Sequence, residues 1–163
     1  MTELFTRDFD SLDEGVRFET PSLTIGEADI GSFAELTGDR HPQHVDDEWA
    51  RRSPFGGRIA HGMLVLSYAA GLVPVDPERV AALRALRDVV FKSPAYPGDT
   101  IRVEGKVDRC SPLDHEVGLV TMLWKVVNQH GRTVARARAE VLWRCELRHA
   151  EIVPAAAGGV VPL

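Results

Sequence analysis

Cysteine is scarce in this chain. There are two in 163 residues, Cys110 and Cys145, and neither sits in a C-x-x-C pair or beside a histidine at zinc spacing. A disulfide framework and a structural zinc site are therefore not expected, and the two read as reduced thiols of a cytoplasmic protein. Basic charge is not in excess either. Lys and Arg number 19 against 24 Asp and Glu, for a net charge of −5, so bulk electrostatics offers nothing to nucleic acid. Hydrophobic runs are short. The longest apolar stretch, Met63 to Val75, contains Ser67 and Tyr68 and meets Pro74, which suits a buried core helix and not a bilayer span, so no membrane association is expected. The first residues, Met1 to Asp8, lack the basic and apolar regions of a signal peptide. No repeat and no linker divides the chain. A single domain is expected over 1–150, followed by a tail at 151–163 rich in Ala, Gly, Pro and Val, either flexible or docked on a partner subunit.

What is present is a change of period along the chain. Val16 to Thr24 is strand-prone, and Thr24-Ile25-Gly26-Glu27 has the shape of a capping box. Ile30, Phe33, Ala34 and Thr37 then recur at helical spacing, with Gly38 suited to end the helix. Asp46 or Asp47 can cap a short helix through Trp49 and Ala50, and Ser53 to Arg58 reads as a loop. An apolar helix follows from about His61, and Asp76-Pro77-Glu78-Arg79 has the composition to start another. Later the period becomes two. Val89-Val90-Phe91, Ile101 to Val107, Val117 to Val127 and Thr133 to Leu147 read as strands, with Asn128 to Gly131 as a hairpin loop. In the last strand Ala135, Ala137, Ala139, Val141 and Trp143 share one face, and the small alanines predict close packing against a helix. Early helices and late strands predict an α+β fold, with an antiparallel sheet curled around the apolar helix from Met63 to Leu72.

Two short segments carry chemistry. In Gly38-Asp39-Arg40-His41-Pro42-Gln43-His44-Val45-Asp46, an acid and an imidazole stand five positions apart across a rigid proline. Such a pair can hold one water molecule between carboxylate and imidazole. The second segment, Ala60-His61-Gly62-Met63-Leu64, begins the apolar helix, where unpaired backbone N–H groups can polarise a carbonyl oxygen. Taken singly, Asp39 is a turn residue, His44 a structural histidine and Gly62 a close-packing glycine. Taken together they outline a reaction site. Arg51, Arg52 and Arg58 are either a solvated face or a phosphate contact.

The two segments, Asp39 to Asp46 and Ile59 to Leu64, resemble the MaoC-like (R)-specific enoyl-CoA hydratase/dehydratase family, in which G-D-x-N-P-x-H is followed by A-H-G-M. Tyr96-Pro97-Gly98-Asp99 resembles a further glycine-aspartate turn of that family, so the likeness runs from about Val16 to Trp143. The resemblance implies a single hotdog fold and a site at or near a homodimer interface, with higher homo-oligomers open. It implies that Asp39 and His44 are the catalytic pair, and that the backbone N–H of Gly62 binds a thioester carbonyl. His41, His61 and Ser67 are then supporting residues. His41 stands where the family has asparagine, and Ala70 where it often has a serine. The implied substrate is a 2-enoyl or 3-hydroxyacyl thioester on coenzyme A or an acyl carrier protein, with no metal and no other cofactor. Two other readings remain beside it: a hotdog thioesterase, and a non-catalytic subunit that pairs with a catalytic homologue.

Overall fold

In the computed structural model, which describes residues 3–146, four long strands make up most of the second half of the chain. They are β3 (Val80–Phe91), β4 (Thr100–Pro112), β5 (Val117–Asn128) and β6 (Thr133–Arg144). Two short early strands, β1 (Arg17–Glu19) and β2 (Leu23–Thr24), both pair with β4. The sheet runs β1-β4-β5-β6-β3 and every pairing is antiparallel. Alternation decides which side is dry. On β5 the inward row is Val120, Met122, Trp124 and Val126, and on β6 it is Ala135, Ala137, Ala139, Val141 and Trp143. Trp124 stands opposite Ala137, and Met122 opposite Ala139, so large side chains meet small ones across the ladder.

Four α-helices precede the long strands: α1 (Glu27–Thr37), α2 (Pro42–Val45), α3 (Asp47–Arg52) and α4 (Gly62–Leu72). Helix α4 buries Leu64, Val65, Leu66 and Ala69 and packs against β4 and β6. This sheet curled around one apolar helix is the hotdog fold. The helix is not enclosed on every side within one chain. Met63 and Ser67, one turn apart, are exposed. Within the core Phe5 meets Phe18 edge-on and stacks on Trp143, whose indole N–H donates to the Arg7 carbonyl at 2.9 Å. Cys110 and Cys145 are both unpaired. The predicted tail at 151–163 lies outside the described residues.

Three local expectations change. Thr24 belongs to β2 and does not cap α1. The N-cap is Gly26, whose N–H donates to the Asp29 carboxylate at 2.6 Å, so the reciprocal acid is Asp29 and not Glu27. Asp76 to Arg79 forms a turn and starts no helix. The helix-forming run Val80 to Arg87 continues as strand β3, because its backbone groups are met by the ladder with β6. That edge is irregular. The register shifts three times, and Asp88 takes a φ of 50° at one of the shifts.

Candidate active site

Gly38 ends α1 in the left-handed region, φ 77°, and its N–H donates to the Ala34 carbonyl at 2.9 Å. The chain turns sharply there and brings Asp39 to the mouth of a cavity. Asp39 is held along its whole length. Its N–H donates to Thr37 Oγ1 at 3.2 Å, and its Oδ1 accepts the His41 N–H at 3.3 Å. Its carbonyl accepts from His61 Nε2 at 2.9 Å. Pro42, with no N–H to leave unsatisfied, is the first residue of α2. The His41 side chain caps the same helix, its Nδ1 accepting the Gln43 N–H at 3.2 Å. His41 is exposed and stands edge-on to Trp49, so it orders the loop from outside the cavity.

One turn of helix then turns His44 inward, where it is buried. Its Nδ1 lies 2.7 Å from the Ile59 carbonyl oxygen. A carbonyl only accepts, so Nδ1 carries the proton and the neutral ring presents a bare Nε2. The Ile59 N–H donates back to the Gln43 carbonyl at 3.1 Å, which clamps α2 to the segment leading into α4. Burial pushes the His44 pKa below its ordinary value. The neighbouring His61 and His41 push the same way, while the Ile59 bond and the Asp39 charge oppose them. His44 is therefore a neutral imidazole at pH 7, in the state a general base requires.

His61 precedes α4 and is also buried. Its ring stacks on His44 with centroids 3.8 Å apart and planes 23° from parallel, and Phe33 packs on it at 5.1 Å. Because Nε2 donates to Asp39, Nδ1 is left as a buried acceptor without a partner among the described residues. Asp39, His44 and His61 bring one ligand-type atom each within 4.8 Å of the others. Stacked rings send their in-plane lone pairs side by side and not to a common point, which is unlike a tetrahedral metal site.

Gly62 is the first residue of α4, so its N–H has no intrahelical acceptor. It lines the same cavity of about 660 Å³ as Asp39, His44 and His61, with Phe33, Phe55, Ile59 and Phe91 supplying apolar wall. The close approach explains the glycine. A Cβ there would lie 2.6 Å from the Phe91 ring. Four of the six expected site residues thus meet at one cavity, and His41 braces it. Ser67 does not line it: the hydroxyl turns back to the Met63 carbonyl at 2.8 Å on the exposed side of α4. Nor is Arg58 free for a phosphate. It is mostly buried, bonds Asp47 at 2.7 Å and pairs with Glu27 at 3.3 Å. Gln43 and Phe91 also line the cavity, and neither is marked by the sequence motifs. Adjacency to His44 hinted at the first, while the second arrives through the fold.

The MaoC-like domain family matches residues 9–129. The chain belongs to that family. Protein MaoC of Klebsiella aerogenes is 40% identical over 100 residues, which are 61% of this chain and 30% of that protein. The chain thus spans less than a third of that relative's length. A 3-hydroxybutyryl-CoA dehydratase of Methylorubrum extorquens is 31% identical over 112 residues, 69% of this chain and 71% of that protein. The crystal structure of a MaoC-like dehydratase from Rhodospirillum rubrum superposes with a TM-score of 0.77 at 27% identity, covering 85% of this chain and 97% of that one. Among the described residues of this MaoC-like chain, no helix is long and apolar enough to cross a membrane.

Proposed function

We propose that this MaoC-like chain is a hydro-lyase that adds water across, or removes it to form, the 2,3-double bond of an acyl thioester carried on coenzyme A or an acyl carrier protein. The observation that carries the reading is the meeting of Asp39, the neutral His44 and the helix-start N–H of Gly62 at one cavity. Relatives named as dehydratase and hydratase support the reaction class. In hydration, Asp39 and His44 hold a water whose oxygen bonds to C3. One proton of that water is taken by the pair, and a proton is delivered to C2. Electron density shifts onto the thioester oxygen during attack, and the Gly62 N–H opposes that charge. Proton transfer by the pair is worth roughly 10²–10⁴-fold. Dehydration runs the same steps in reverse. The apolar wall gives room to an acyl chain. No metal and no further cofactor enter this scheme.

The working unit in this reading is a homodimer. Strand β3 is a long open edge with Leu83, Val90 and Phe91 exposed, an arrangement that invites pairing with another strand. Phe91 and the exposed Met63 line the cavity, so a second copy along this edge would also close the site. The test is an ultraviolet assay of the purified chain against a panel of enoyl thioesters on both carriers. Loss of enoyl absorbance is the expected result. Free thiol without that loss would instead indicate a thioesterase, and a turnover requirement for an added homologue would indicate a non-catalytic subunit.

A further inference from the structure

The reactive nitrogen of His44 already has a partner. Gln43 Nε2 lies 3.0 Å from His44 Nε2. With Nδ1 committed to the Ile59 carbonyl, Nε2 is bare and must accept, so Gln43 presents its N–H there. The placement is set by the backbone. The Gln43 N–H is fixed by the His41 imidazole and its carbonyl by the Ile59 N–H, so the side chain leaves a pinned residue toward the cavity.

We propose that Gln43 is a positioning residue for His44, holding Nε2 through a carboxamide that can serve the imidazole in both protonation states. This rests on the reading of His44 as an acid–base group. Such a group alternates between a bare nitrogen and an N–H. Lysine or arginine could serve only the first state and a carboxylate only the second, whereas an amide offers N–H to the bare ring and, after half a turn, oxygen to the protonated ring. Water reaching Nε2 competes with a neutral donor, which it can replace at small net cost. The other titratable groups facing His44 are His61, stacked on it, with Asp39 and the more distant His41; Lys92 lines the same cavity.

The test is the titration of the His44 imidazole by NMR in the wild type, Gln43→Met and Gln43→Glu, with the acid limb of kcat/KM for an active enoyl thioester followed in parallel. Methionine keeps the length but solvates neither state. The charge-assisted bond to imidazolium is the stronger of the two lost, so the midpoint falls by roughly half to one pH unit. Glutamate favours the protonated ring and raises the midpoint by about one unit or more. Opposite shifts, with the acid limb moving likewise, establish the contact. Midpoints within about 0.2 unit of wild type in both variants overturn it, as does a rise in Gln43→Met. If Gln43→Met fails to unfold cooperatively, the near-isosteric Gln43→Glu decides alone. Because the titration needs no turnover, opposite shifts in a chain that hydrates no enoyl thioester would sustain this inference and defeat the functional reading.

Discussion

Gly62→Ala probes the tightest point of the site. An added Cβ would stand 2.6, 2.7 and 2.8 Å from three carbons of the Phe91 ring. Carbon atoms prefer roughly 3.5–4.0 Å, so the ring must retreat by about 1 Å. It has room, since Phe91 is 49% exposed at the end of β3. Overpacking of this kind costs about 1–2 kcal/mol where the neighbour can yield. Alanine in place of glycine returns roughly 0.5–1 kcal/mol through the lower entropy of the unfolded chain. The net effect should be a destabilisation between about zero and 1.5 kcal/mol. In a Phe91→Ala background the clash is gone, and Gly62→Ala should stabilise by about 0.5–1 kcal/mol. Urea unfolding of the four proteins in the cycle measures this coupling, expected at about 1–2 kcal/mol. An equal effect of Gly62→Ala in both backgrounds would refute the contact and, with it, the explanation of the glycine.

Other outcomes follow from the same geometry. Arg58→Ala should lower stability by about 1 kcal/mol, or roughly 2–4 °C in Tm, through loss of the Asp47 and Glu27 pairs, while leaving KM for a coenzyme A thioester nearly unchanged. His44 gives stability a pH dependence of known sign. Its folded pKa lies below the ordinary value of 6.5, so below about that pH the unfolded chain takes up the proton first. Stability should be full above that point and fall with pH beneath it, and His44→Gln should flatten that part of a Tm–pH curve. If the proposed dimer forms along the open edge of β3, Leu83→Lys should leave the chain monomeric in sedimentation, with activity falling alongside; an active monomer would exclude the edge as part of the site.

Much of this is legible in the sequence alone. The alternation in β6, with alanines inward, and the apolar run of α4 demanded a sheet around a helix, and the fold meets that demand. Asp39, His44, His61 and Gly62 were legible because each lies in one of two short segments where local rules act: a glycine turn, a proline start and a helix N-terminus. Val80 to Arg87 was not, since alanine, leucine and arginine favour helix and only the distant ladder with β6 makes them a strand. Phe91 was hidden for a related reason: it meets Gly62 only after that strand has paired. Ser67 was expected near the site from resemblance, but the helical period carries it to the exposed side of α4. Gln43 stood next to His44 throughout, yet nothing in the sequence shows where a flexible amide points.

The central claim is that Asp39 and His44 together move the protons of water at an acyl thioester. Enoyl absorbance should be followed on the best substrate of the panel for the wild type, Asp39→Asn, His44→Ala and the double variant, each verified by cooperative unfolding. Each single change should reduce kcat by about 10²–10⁴-fold, and the double variant should be little worse than the poorer single one, because the two act as one unit. A folded double variant that hydrates its substrate at close to the wild-type rate would contradict the account.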